Sequence, residues 1–137
     1  VGEEASVAAF ESEKREFVRV RVAVPVRYKF LAHELEGPEL DRIWEGTTSN
    51  LSGGGLLLRG RIPDLAWLAP LLNGHMKIGV NLILPTFELP VKALARVAWI
   101  ENLEESTQKA LMGLRFTEIP KSAQDEVLKY IIKTQMP

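Results

Sequence analysis

From residue 18 onward, apolar and polar positions alternate along the chain. Val18, Val20, Val22, Val24, Val26, Tyr28 and Phe30 fall on one parity; Arg19, Arg21, Ala23, Pro25, Arg27 and Lys29 fall on the other. A period of two carrying β-branched and aromatic residues predicts a strand with one buried face. Pro25 on the polar parity predicts an edge position or a bulge, because proline has no N–H to give to a ladder. Residues 36–42, with Gly37 and Pro38, read as a hairpin loop, and a second strand is expected over residues 43–49. Gly53, Gly54 and Gly55 interrupt it, and Leu56, Leu57, Leu58 and Arg59 resume as a strand. Residues 64–73 predict a short helical turn interrupted by Pro70. Ile78, Val80, Leu82 and Leu84 alternate and stop at Pro85. Phe87, Leu89, Val91, Ala93, Ala95, Val97 and Trp99 make the longest alternating run, and Ala110, Met112, Leu114 and Phe116 make the last.

Beyond Pro120 the period changes. Ala123, Val127, Leu128, Ile131 and Ile132 recur at helical spacing, and Ser122 with Asp125 three positions on resembles a capping box. The order is therefore about six consecutive strands and one C-terminal amphipathic helix. That predicts a mainly β fold, a small antiparallel sheet that closes or sandwiches to protect its edges, with the helix packed on it or over one end.

Composition narrows the classes of function. A length of 137 residues suits one domain, large enough to bury a core without disulfides or a structural metal. There are no cysteines, which excludes thiolate catalysis and Cys-based zinc sites and fits a reducing cytosol. His33 and His75 are the only histidines and lie far apart in sequence, so no histidine-rich metal site is expected. No paired carboxylates with a nucleophile and no histidine dyad can be assembled, so no enzyme is expected. No apolar run approaches the ~20 residues of a membrane helix. The first residues, Val1, Gly2, Glu3 and Glu4, are acidic where a secretory signal would be basic. Without an initiator Met, the chain is expected to be a processed or excised segment. Residues 1–13 carry four glutamates and read as a mobile acidic arm, leaving 14–137 as the domain.

The net charge is −1, so no global basic field exists to bind nucleic-acid polymers. The positive charge is concentrated instead. Residues 14–29 hold six basic residues and one acidic residue. Within them, Arg15 and Arg19 stand four apart at the mouth of the first strand. Guanidinium forks pair with phosphate oxygens and with the O6/N7 edge of guanine. The same cations would also serve as a solvated strand face guarding an edge.

A second cluster, Asn50, Leu51, Ser52, Gly53, Gly54 and Gly55, fits Asn-x-Ser-x-x-Gly. Asn50 and Ser52 share a parity, so in extended chain both polar groups lie on one face. The glycines admit a ligand close to backbone N–H groups, and the same residues are also common turn formers. No Gly-Lys-Ser/Thr follows, so this is not a P-loop; no helix follows, so it is not a dinucleotide fingerprint. Ser52 lacks the Gly two residues before it that a nucleophile elbow needs.

Taken together, Arg15/Arg19 before the first strand and Asn50/Ser52/Gly55 about 30 residues later resemble the signature of the PilZ domain family. Met112, Gly113, Leu114, Arg115 and Phe116 are similar to that family's late Gly-x-x-Phe strand, and a following helix is typical of it. The resemblance covers roughly residues 14–133. Asn50 stands where Asp is commoner, and the stretch 63–75 looks like a variable insertion. The resemblance implies a small antiparallel β-barrel that binds the bacterial second messenger cyclic di-GMP without catalysis. It implies that Arg15 and Arg19 grip the phosphates and guanine edges, that Asn50 and Ser52 hydrogen-bond a guanine, and that Gly55 keeps the turn open. Lys14, just before the first arginine, is a position that tends to accompany a stacked pair of ligand molecules. Trp99 can serve as a platform for a base, but it shares parity with Leu89, Ala95 and Val97, which reads it as core; Trp44 and Trp67 read as core too. Arg115 reads as a solvated or ion-paired side chain, and Arg21 and Arg27 as contributors to the field.

The mechanism this implies is a switch in which ligand orders residues 10–17 over the barrel and presents a new surface to a protein partner or flanking domain, in the bacterial cytoplasm, with no cofactor and no membrane insertion. Two rival readings bind no cyclic nucleotide. One is a PilZ-fold interaction module. The other is an oligonucleotide-binding barrel, which would need aromatics interleaved with basic residues along a groove.

Overall fold

The computed structural model describes residues 19–33, 37–85 and 87–135. The alternating segments form six strands: β1 (Pro25–Leu31), β2 (Trp44–Ser52), β3 (Gly55–Arg61), β4 (Lys77–Leu82), β5 (Val91–Glu101) and β6 (Lys109–Glu118). Helix α1 (Pro38–Asp41) follows β1. A 3-10 turn (Leu65–Trp67) runs into α2 (Leu68–Asn73), and α3 (Lys121–Gln135) ends the described chain. The strands close into an antiparallel barrel in the order β1-β2-β3-β6-β5-β4. Closure leaves no unpaired sheet edge, as the run of consecutive strands predicts.

Inward residues of every strand build one core. Val26, Tyr28 and Phe30 of β1 meet Trp44, Leu51, Leu58, Ile78, Val80, Val97, Met112 and Leu114. Phe30 lies edge-on to Tyr28 at 5.6 Å and against Trp67 at 5.0 Å, which draws the 3-10 turn and α2 onto the barrel. Trp44 and Trp67 are buried, in keeping with their expected core role. Helix α3 buries Val127 and Ile131 and contacts β5 and β2. The Tyr28 hydroxyl accepts from Arg61 N–H at 2.6 Å and donates to Arg61 C=O at 2.8 Å. Burial pushes its pKa up to about 12, partly offset by that hydrogen bond and by the Arg61 charge. Gly60 sits beside it because a Cβ there would lie 2.5 Å from the Tyr28 hydroxyl.

Several sequence expectations are corrected. The first alternating run is not one strand. Its ladder begins at Pro25, in the strand-opening position that proline tolerates, while Val20 forms an isolated bridge to Leu51. The parity nevertheless persists across the break, since Val20 and Val24 are both buried. Strand β2 runs on to Ser52 rather than stopping at Ser49. Pro70 does not interrupt the 64–73 segment. It occupies the first turn of α2, where a missing N–H costs no intrahelical bond, and Gly74 at φ 87° caps that helix. Phe87 and Leu89 precede β5 and are exposed. Ser122 does not cap α3, which already begins at Lys121. Gln124 N–H bonds to Pro120 C=O at 2.9 Å, and Asp125 lies 3.7 Å from the Lys121 ammonium.

Candidate functional site

Two extra residues in the ladders decide which side chains reach the outside of the barrel. In β2, Thr48 pairs with Leu58 but Asn50 pairs with Leu57, so Ser49 is a bulge. Before it, the even positions Trp44 and Thr48 point inward and are buried; after it, Leu51 does. A one-residue insertion reverses the facing of everything beyond it. It thereby delivers Asn50 and Ser52 to the outer face, sharing that face as their parity predicts. In β5, Val97 pairs with Leu114 and Trp99 with Gly113, so Ala98 is a second bulge. Trp99 is turned outward, 42% exposed, which corrects the parity reading that placed it in the core.

The pairing register then sets the surface row by row. Asn50 pairs with Leu57, Leu57 with Gly113, and Gly113 with Trp99. Ser52 pairs with Gly55, Gly55 with Arg115, and Arg115 with Arg96. Asn50 and Trp99 are three strand spacings apart, about 14 Å along the surface. The Trp99 indole lies over Gly113, where a Cβ would come within 2.3 Å of the ring. Arg115 is exposed, as expected, but its place one strand from Gly55 could not be read from its own neighbourhood. Leu57 and Gly113 join the surface in the same way, through pairings between distant segments.

The segment before β1 brings a cation to this face. Val20 and Leu51 exchange both backbone hydrogen bonds at 2.9 Å. In that antiparallel register Arg19 stands beside Ser52 and Arg21 beside Asn50, both exposed. Thr48 holds the segment further along. Its hydroxyl accepts from Val24 N–H at 3.0 Å and donates to Val22 C=O, and Thr48 N–H donates to Val24 C=O at 3.0 Å. Lys14, Arg15 and the arm 1–13 lie outside the described residues.

The Ser-Gly-Gly-Gly turn is bound on every side. Ser52 Oγ accepts from Gly54 N–H and donates to Gly55 C=O, both at 3.2 Å. Phe116 N–H donates to Gly54 C=O at 2.9 Å, and the Gln124 amide of α3 to Gly53 C=O at 2.9 Å. Ser52 is 8% exposed, so in this state its hydroxyl shapes the turn. The Asn50 amide makes no hydrogen bond to another described residue. Among the described glycines only Gly37 and Gly74 have positive φ, so the glycine at 55 answers to space rather than to backbone conformation. A Cβ there would lie 2.1 Å from Leu114 C=O. The surface thus offers the Asn50 amide, two arginines beside Asn50 and Ser52, a third on β6 and an indole across a low apolar floor. That set suits a flat, acceptor-rich anion. Among the described residues no group of three or more His, Asp or Glu is placed to hold a metal, and no helix is long and apolar enough to cross a membrane.

A family model described as PilZ domain matches residues 13–133. A search of curated proteins by sequence gave no match. The chain is similar to the Bacillus subtilis inhibitor of motility MotI/DgrA, with a TM-score of 0.64 and 21% identity over 89% of this chain and 51% of that one. It is similar to the PilZ domain of YcgR from Escherichia coli with cyclic di-GMP (TM-score 0.57, 12% identity, 88% and 90% of the two chains). It also resembles the Klebsiella MrkH–cyclic di-GMP complex (TM-score 0.57, 12% identity, 88% and 51%). The chain spans about half the length of MotI and of MrkH.

Proposed function

The chain belongs to the PilZ domain family, and on that premise we propose that it is a cyclic di-GMP receptor domain that passes ligand occupancy to a partner protein or flanking domain in the bacterial cytoplasm. The observation that carries the reading is the Ser49 bulge, which sets Asn50 and Ser52 outward in the register that also brings Arg19 beside them. Cyclic di-GMP carries two phosphates and two guanines. Arg19, with Arg15 from the preceding segment, pairs with phosphate oxygens and a guanine O6/N7 edge. The Asn50 amide and the Ser52 hydroxyl hydrogen-bond a guanine, Ser52 through its remaining lone pair or by releasing Gly55. Gly55 keeps β3 close enough to β6 to leave the floor low. Trp99 supplies a face on which a base stacks, and Lys14 sets whether one or two ligand molecules bind.

The signal is ordering of the arginine segment over the barrel. A ligand shifts the arrangement only as far as it binds one arrangement better, and neutralising clustered cations gives that difference. Support comes from the YcgR and MrkH structures, both described with cyclic di-GMP. Hydrogen exchange with saturating cyclic di-GMP tests it. Slower exchange across residues 10–19 and 53–55, lost in Asn50→Ala, is expected. Unchanged exchange at 10–19 with bound ligand would refute the ordering. Absence of binding would leave a PilZ-fold interaction module.

A further inference from the structure

Away from that surface, a groove of about 940 Å³ runs over the outer face of β1, β4 and the start of β5. At its floor, Gly79 lies between Lys29 of β1 and Leu94 of β5. This glycine is not demanded by the fold. It is not among the positive-φ residues, and a Cβ on it would meet only the tip of Leu31 at 3.3 Å. Glycine inside a strand weakens it and often marks a place where another chain or ligand comes close. The walls are apolar: Leu31 (39% exposed), Ile43 (61% exposed) and Ile119 stand around the floor.

The charge on the rim is one-sided. Arg27, Asn81 and Lys92 form one row across three strands, and Lys29 stands in the next. Glu118, paired with Leu94, is the one carboxylate among the described residues that line the groove. Glu45 is opposite Arg27 on β2, yet the salt bridges among the described residues are both within α3. Three cations around an apolar trough, in a chain of net charge −1, complement a segment bearing both apolar side chains and carboxylates.

We propose that this groove docks an acidic, apolar peptide segment of a partner protein, its backbone passing over Gly79 and its carboxylates facing Arg27, Lys29 and Lys92. The proposal is independent of nucleotide binding.

The test uses the full chain and a short synthetic peptide rich in Leu and Glu, followed by amide chemical shifts. A counterpart with Lys in place of Glu and a scrambled peptide serve as controls. The Glu peptide is expected to move the amides of Lys29, Gly79 and Leu94, and the Lys peptide is not. Gly79→Val fills the trough without a backbone clash and is expected to abolish the shifts while unfolding as the parent does. Lys29→Glu with Lys92→Glu is expected to weaken the Glu peptide roughly tenfold and to favour the Lys peptide. Equal binding of both peptides, shifts mapping elsewhere, or Gly79→Val binding as the parent would overturn the proposal. So would a concentration-dependent dimer dispersed by Ile43→Glu, which would assign the groove to a second copy. Removal of residues 1–13 that by itself moves the groove amides would assign it to the chain's own glutamate-rich segment.

Discussion

Thr48→Val isolates the clamp that holds the segment before β1. Valine keeps the shape and removes the hydroxyl. The Thr48 side chain is the acceptor for Val24 N–H and the donor to Val22 C=O, and Val24 is 1% exposed. Water cannot replace the lost partner at so covered an amide. About 1 kcal/mol for the bond to Val22 C=O, with about 1–3 kcal/mol for the Val24 N–H left buried and unpaired, puts the loss at roughly 2–4 kcal/mol. A domain of this size typically has about 5–15 kcal/mol in all, so the variant folds but with a large loss. Thr48→Ser keeps the hydroxyl and gives up one buried methyl, at about 1 kcal/mol. Urea unfolding followed by tryptophan emission should show a lower midpoint at unchanged slope, with amide exchange at Val24 accelerated in the valine variant alone. Because Val20 and Arg19 follow the clamp, cyclic di-GMP binding should weaken in the same order. A valine variant within about 0.5 kcal/mol of the parent, or unaltered exchange at Val24, would refute the reasoning.

Gly55→Ala places a Cβ against the Leu114 carbonyl, a backbone contact relieved only by separating β3 from β6, so a loss of about 3 kcal/mol or more by chemical denaturation is expected. Gly113→Ala meets the Trp99 ring instead, a side chain that can lift. About 1–2 kcal/mol is expected from its lost cover, with red-shifted Trp99 emission and weaker ligand binding in fluorescence titration. The Tyr28 phenol, pushed up to about 12 from 10.0, stays protonated in the fold while the unfolded chain releases its proton earlier. Its contribution is therefore present below pH 10 and lost as pH rises to about 12, by roughly 2–3 kcal/mol; Tyr28→Phe should abolish that part of the pH dependence in denaturant melts.

How far the sequence could be read follows from which features are local. Parity along one strand is local, so Tyr28, Phe30 and the helical spacing of Val127 and Ile131 were legible. So was the shared face of Asn50 and Ser52. The bulges at Ser49 and Ala98 were not, because an extra residue shows only when two distant strands are paired. The Ala98 bulge is why Trp99, on core parity in the sequence, stands outside. The neighbours of Asn50 and Ser52 on the surface, Leu57, Gly113 and Arg115, come from three-strand rows that no local pattern reports. The packing reason for a glycine at 55 is non-local in the same way, since it is the passing carbonyl of Leu114.

Calorimetric titration with cyclic di-GMP, with GMP and GTP as controls, tests the central claim most directly. Saturable binding to the parent chain that is lost in Arg15→Ala/Arg19→Ala and absent with the mononucleotides is the predicted result, its stoichiometry giving one or two ligands beside Lys14. No heat at high ligand concentration, or equal binding by the double variant, would contradict the account.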